Sequence, residues 1–180
     1  SEQTAPPQEA RPGERPEAPP ASAKPGAQEA REYLDWCLSH VDFAPELVKP
    51  VTVVLGAMAS RDWRPQHHDY KFATGNNGLE DIIMNTPNLA SWFERYLTDW
   101  TGPKGRLGRI KFRMKDSVYP GDTMRFAGQV TNVEAAAHGM SWVDVSIELS
   151  AGDKSCVGCE ARIAVPDTAD ANPWKLKGDD

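Results

Sequence analysis

The stretch Thr86-Pro87-Asn88-Leu89-Ala90-Ser91-Trp92-Phe93-Glu94-Arg95-Tyr96-Leu97-Thr98-Asp99-Trp100 decides how this chain folds. Its apolar residues Leu89, Trp92, Phe93, Tyr96, Leu97 and Trp100 fall at i, i+3, i+4, i+7, i+8 and i+11, one broad face of a 3.6-residue period. Thr86 can cap such a helix, Pro87 suits its first turn, and Gly102-Pro103 stops it. Four strand-like segments follow. Arg109 to Asp116 sets Ile110, Phe112 and Met114 against Arg109, Lys111, Arg113 and Lys115. Thr123 to Val133, Ser141 to Leu149 and Ser155 to Val165 come next, separated by turns at His138-Gly139 and Ala151-Gly152-Asp153. Val143, Val145, Ile147 and Leu149 share one face of the third segment, and Val157, Cys159, Ala161, Ile163 and Val165 one face of the fourth. A long helix before a meander predicts an α+β layer, an antiparallel sheet wrapped around one helix. An open edge of such a sheet invites pairing with another chain.

Upstream, Arg61-Asp62-Trp63-Arg64-Pro65-Gln66-His67-His68-Asp69 places a carboxylate and an imidazole five residues apart, across a loop stiffened by Pro65. Before it, Val51 to Val54 favour a strand by β-branching. Gly75-Asn76-Asn77-Gly78 signals a turn, and Leu79 to Asn85 links it to the main helix. Ala27 to His40 reads as a short helix with Tyr33, Leu34, Cys37 and Leu38 on one side, packed on the domain or on a partner. Residues 1–30 hold seven prolines and no large apolar side chain, so they form a disordered arm, solvated or partner-binding. The expected division is thus an arm over 1–30, a helical extension over 31–49, the main domain over 50–166 and a loose, polar tail over 167–180.

A net charge of −6 on 180 residues argues against nucleic acid as the main partner. No apolar run approaches the roughly 20 residues of a membrane span, and the N-terminus lacks the pattern of a secretory leader. The start at Ser1 without Met is expected of a trimmed chain. Three cysteines, Cys37, Cys156 and Cys159, make no disulfide framework and point to a reduced, cytoplasmic setting. Cys156-Val157-Gly158-Cys159 has metal-like spacing, yet no second pair completes a site, and a strand would turn the two sulfurs to opposite faces. Adjacent side chains of His67-His68-Asp69 rarely converge on an ion, so no metal site is expected.

Asp62-x-x-Pro65-x-His67-x-Asp69, with Trp63 at an aromatic position and Phe72-Ala73 as its sequel, resembles the loop of the MaoC-type (R)-specific enoyl-CoA hydratases and dehydratases. The stretch from Ala59 to Gly102, including His67-His68-Asp69 and Tyr96-Leu97-Thr98-Asp99-Trp100-Thr101-Gly102, further resembles the small MaoC-like subunit of bacterial steroid side-chain enoyl-CoA hydratases. The likeness covers roughly residues 50 to 166. It implies the hotdog fold, a helix over Pro50 to Ser60, and a pairing of subunits, as a homodimer or with a second MaoC-like chain. It also implies a lyase of lipid or steroid breakdown that adds water across the Cα=Cβ bond of an acyl-CoA, with no cofactor.

Asp62 and His67, touching one water, would then serve as general base and acid. The N-terminus of the main helix, through the amide of Asn85 or Thr86, would face the thioester oxygen; Pro87 has no N–H to give. The resemblance puts Arg64 where Asn is usual and Gln66 where an apolar residue is usual, with Arg64, Pro65 and Asp69 supporting the loop. Arg109, Lys111 and Arg113 belong to a basic stripe that could meet CoA phosphates, or be a solvated face or the footprint of an acidic partner. Trp92 or Trp100 could line an acyl tunnel. Two rival functions remain: a hotdog acyl-CoA thioesterase, and a scaffold subunit without activity.

Overall fold

The structure, a computed structural model, describes residues 27–39 and 43–176. In chain order it contains α1 (Ala27–Ser39), β1 (Glu46–Leu47), α2 (Pro50–Ala59), α3 (Tyr70–Asn76), α4 (Thr86–Thr101), β2 (Arg106–Met114), β3 (Thr123–Ala136), β4 (Met140–Ala151) and β5 (Lys154–Pro166), with 3-10 turns at Pro65–His67, Gly102–Lys104 and Pro173–Lys175. The strands form one antiparallel sheet in the order β1-β3-β4-β5-β2, curled around α4. This is the hotdog fold.

The central helix begins one residue earlier than its composition predicts. Asn85, not Thr86, is the cap, and its side-chain oxygen accepts from the Asn88 amide at 3.3 Å. Gly102, at φ 70°, ends the helix by donating its N–H to the Thr98 carbonyl. The expected apolar face is the one buried: Leu89, Phe93, Tyr96 and Leu97 are fully enclosed, and Trp92 and Trp100 are partly so. Val143, Val145, Ile147 and Leu149 of β4 and Val157, Cys159, Ala161 and Ile163 of β5 close over them. Phe93 meets Phe112 of β2 at 5.2 Å and Phe126 of β3 at 5.1 Å between ring centroids. A Cβ on Gly128 would lie 3.0 Å from the Tyr96 hydroxyl, so glycine there sets how closely helix and strand approach.

Pro50 to Ala59 is a helix, against the β-branched run that favours a strand; Val53 and Ala57 are its buried contacts. α2 lies tightly on α4, since a Cβ on Gly56 would sit 2.0 Å from Asn88 Nδ2. The turn predicted at Gly75 to Gly78 is displaced by α3, which runs through Asn76. Asp69 caps it by accepting from the Phe72 amide at 3.1 Å, and buried Ala73 anchors it. These two contacts outweigh the local preference of Gly75.

α1 packs on the domain itself. Asp35 Oδ1 accepts from the Val130 amide at 2.8 Å, Arg31 Nε donates to the Val130 carbonyl, and Leu38 is buried beside Gly128. The helix therefore covers the edge of β3 that two-residue β1 leaves open. It starts at Ala27, inside the range expected for the arm; residues 1–26 lie outside the described residues. The tail, expected to be loose, is docked as far as Leu176: Arg106 donates to the carbonyls of Pro173 and Leu176, and Leu176 joins Met140, Ala164 and Ala171 in a small second core. In β5 a bulge opposite Leu149 and Ser150 breaks the alternation, and Cys156 is buried together with Cys159 instead of facing outward.

Candidate active site

The loop between α2 and α3 is built to turn two side chains toward the start of α4. Ser60 closes α2 by donating its hydroxyl to the Gly56 carbonyl at 2.7 Å. Arg61, at φ 57°, then reverses the chain, and the Asp62 amide returns to the Ala57 carbonyl at 2.9 Å. Pro65 starts the 3-10 turn that swings His67 inward until only 3% of it is exposed. The Ile83 amide donates to the Gln66 carbonyl at 3.1 Å, tying this turn to the segment before α4.

Asp62 and His67 meet: Oδ2 and Nε2 are 3.4 Å apart. The other ring nitrogen, Nδ1, lies 2.7 Å from the Ile83 carbonyl. A carbonyl can only accept, so the proton of a neutral ring is assigned to Nδ1 and the lone pair to Nε2. Nε2 thus presents a lone pair toward a carboxylate oxygen. Two acceptors in that position are complementary to a molecule that donates twice.

Burial pushes the Asp62 carboxyl up, but its bond from Asn85, the positive charge His67 carries when its ring is protonated, the Arg64 amide and the Arg64 guanidinium together hold it below the usual carboxylate value. Its side chain is 21% exposed, so the acid is ionised and reachable. Asn85 Nδ2 donates to Asp62 Oδ2 at 3.2 Å and to Ser60 Oγ at 2.8 Å. Of the three loop supports, Pro65 and Asp69 each hold a turn or a cap. Arg64 is a weak support, its Nε 3.9 Å from Asp62 Oδ1 and its side chain 75% exposed.

Neither the Asn85 nor the Thr86 amide has a hydrogen-bond partner among the described residues, which leaves two donors at the N-terminus of α4 beside Asp62. His68 turns back to the Trp63 carbonyl at 3.3 Å. Arg109, Lys111 and Arg113 stand apart on edge strand β2, where Lys111 lies 3.7 Å from Glu160. Lys111 and Arg113 line a depression of about 220 Å³ on the sheet, together with Gly158 and Cys159 and with none of the Asp62 group. Of the residues singled out in the sequence, the structure brings together Asp62, His67 and the start of α4. The sequence did not single out the side chains of Asn85 and Ser60 or the Ile83 carbonyl. The one available signal was Asn before Thr-Pro, a cap signature.

Residues 37–151 match the family described as the MaoC like domain. The chain is 37% identical, over 84 residues, to the 3-oxo-4,17-pregnadiene-20-carboxyl-CoA hydratase beta subunit of Mycobacterium tuberculosis strain ATCC 25618 / H37Rv. That alignment covers 47% of this chain and spans 64% of the relative's length. The ChsH1-ChsH2 complex from Mycobacterium tuberculosis contains a chain with a TM-score of 0.60 and 27% identity, covering 68% of this chain and 91% of that one. The (R)-hydratase from A. caviae involved in PHA biosynthesis shares the fold, at a TM-score of 0.58 and 23% identity over 68% of this chain and 92% of its own. With the family match spanning well over half of its residues, and with the hotdog fold in place, the chain belongs to the MaoC-like domain family.

Proposed function

We propose that this chain is a catalytic subunit that hydrates the Cα=Cβ bond of an enoyl-CoA thioester. The observation that carries this reading is the Asp62–His67 pair, 3.4 Å apart, with the imidazole tautomer set by Ile83. A water donating one hydrogen to Asp62 Oδ2 and the other to His67 Nε2 has its lone pairs turned outward, toward a substrate carbon. As the water oxygen bonds to Cβ, the pair takes its proton and the π electrons move to Cα and the thioester oxygen. The free amides of Asn85 and Thr86 would stabilise the enolate oxygen, and His67 would return a proton to Cα. Water's two hydrogens and its oxygen all end in the product, so no other reactant is required.

The acyl group we propose is bulky, a steroid side chain or a long fatty chain, on the strength of the named relative's substrate and of exposed apolar side chains on α2 and the loop that follows it. Leu55, Met58 and Trp63, all exposed, run along α2 to the loop beside Asp62. The same surface, with the unpaired edge of β2, supports assembly with a second hotdog subunit. Arg109, Lys111 and Arg113 on that edge are the proposed contacts for CoA phosphates.

The test is hydration of an enoyl-CoA panel, from crotonyl-CoA to a steroid side-chain enoyl-CoA, by the chain alone and with candidate partners. Asp62→Asn and His67→Ala should each lose roughly 10²- to 10⁴-fold in kcat with the fold intact. Full activity of both variants would sink the proposal. Release of free thiol without loss of enoyl absorbance would identify a thioesterase instead.

A further inference from the structure

Granted the water-activating role of Asp62 and His67, we infer that the side chain of Asn85 is a positioning residue, which holds the Asp62 carboxylate at the angle and charge the water requires. Asn85 is 2% exposed and every polar group of its side chain is engaged. The oxygen accepts from the Asn88 amide at 3.3 Å. Because that amide can only donate, the orientation of the Asn85 side chain is determined, and its NH₂ must face the loop. One N–H goes to Ser60 Oγ at 2.8 Å, the other to Asp62 Oδ2 at 3.2 Å. Ser60 in turn spends its own proton on the Gly56 carbonyl at 2.7 Å, so its lone pair is what receives Asn85. Donors therefore run in one direction only, from α4 to the acid and to the end of α2.

Capping alone does not explain this residue. Ser, Thr or Asp would cap α4 as well as Asn, but none of them can accept from the helix and donate twice to the loop. Glutamine would carry the same groups one methylene too far. Asn88 also ties α4 to α2, its Nδ2 donating to the Thr52 carbonyl at 3.0 Å, but it does not reach the loop; among the described residues the Asn85 side-chain amide is the one that joins α4 to both α2 and the loop. The titratable and charged groups facing Asp62 are His67 and Arg64, both from its own loop; α2 and α4 contribute only neutral Ser60 and Asn85. Asn85 itself is buried, so the donor it holds on Asp62 Oδ2 is fixed by the protein and not by exchanging solvent.

The consequence is directional. A donor to the ionised acid favours the ionised form, so its loss raises the pKa of Asp62. The free carboxylate can then rotate, and a proton held between Asp62 and His67 displaces the water.

The experiment uses the full chain carrying Asn85→Ser or Asn85→Asp, both of which keep the cap. Asp62 is titrated through its ¹³C carboxyl resonance, identified by its absence in Asp62→Asn, and hydration of the same enoyl-CoA panel is followed against pH. Asn85→Ser should raise the Asp62 midpoint and the acid limb of kcat/KM together by roughly half to one pH unit. It should lower kcat about 10- to 100-fold with little change in KM. Asn85→Asp sets a second carboxylate against the first and should do both more strongly. An unmoved Asp62 titration in Asn85→Ser overturns the inference, whether activity is kept or lost, because a purely structural cap would leave the acid's titration alone. If Asp62→Asn itself retains hydration, the underlying functional reading fails instead. If Asp62→Asn is inactive and Asn85→Ser is unchanged, only the role of Asn85 fails.

Discussion

Two polar clusters in this molecule look alike on paper and differ in what they lack. On the outer side of the sheet, Arg162 of β5 donates to Asp144 of β4 at 2.9 Å and to Glu134 of β3 at 2.6 Å, with its guanidinium 5.4 Å from the centre of the Trp142 ring. Cation meets anion across three strands, donors face acceptors, and the bond to Glu134 together with the charge of Asp144 raises the Arg162 pKa despite the opposing effect of burial. At the start of α4, Asp62 and His67 also stand close, yet the two facing atoms are both acceptors in the neutral ring, whose one N–H at Nδ1 donates to the Ile83 carbonyl. The first cluster is complete and stitches strands. The second is short of two hydrogens, and that deficit is what makes it competent to hold a water. Proximity of charged groups thus identifies neither role; the direction of the donors separates them.

The sharpest way to break this contrast is a double variant. If Asp62 and His67 act on one water, Asp62→Asn combined with His67→Ala should hydrate no more slowly than about the worse single variant, against a product of roughly 10⁴ or more expected for independent roles. Steady-state kinetics of the three variants decides it. Strict multiplication of the two losses would mean that each residue acts on a different step, and the shared-water geometry would have to be given up.

A smaller effect, on a different axis, is expected at the sheet. Arg162→Met keeps the aliphatic length over Trp142 but leaves Asp144 Oδ2 with only the Asn132 side-chain amide at 3.3 Å, its other oxygen being already buried without a partner. We expect a loss of about 2 kcal/mol in unfolding free energy, from charged hydrogen bonds of ordinary strength, with hydration unchanged. The contribution of Glu134 to that loss is small because its side chain is 60% exposed. Denaturant unfolding of Arg162→Met beside Asp62→Asn should therefore give opposite patterns: stability lost with activity kept, and activity lost with stability kept. An Arg162→Met protein as stable as the parent would show that the strands need no such stitch.

How far these clusters could be read from the chain alone follows from the range of the interactions. The period of Leu89 to Trp100 and the alternation of Val143 to Leu149 are local, and both emerge intact in α4 and β4. The Asp62–His67 pair was legible because five residues and a proline already constrain it. The donor that completes it was not, since Asn85 lies 23 residues beyond Asp62 and meets it only when α4 docks on the loop. Residue composition misled at Gly75, where a cap and one buried alanine prevail over a turn signal, and at Val51 to Val54, where contact with α4 selects helix over strand. Cys156 was misplaced because a bulge shifts the register of β5, which no alternation rule anticipates. The tail was misjudged because Leu176 finds its partners on β4 and β5, far back along the chain.

That buried face of β5 offers the least intrusive measure of the contrast. Burial pushes the Cys159 thiol up to about 12, with Glu160 adding to the effect, and burial likewise raises Cys156. At pH 8 Cys159 is then thiolate to only about one part in 10⁴, and both β5 cysteines are buried. Half-buried Cys37 on α1 should react first with a thiol reagent, and the β5 pair only through local unfolding. If Arg162 holds β3, β4 and β5 together, its replacement by Met should speed labelling of Cys159 by roughly tenfold or more, the rate factor that about 2 kcal/mol of lost opening energy permits. Asp62→Asn should leave that rate where it is, because the loop can lose its acid without disturbing a strand on the far side of the helix. Equal acceleration in both variants would show instead that the site and the sheet open as one unit, and the two clusters would no longer be separable by what each one holds.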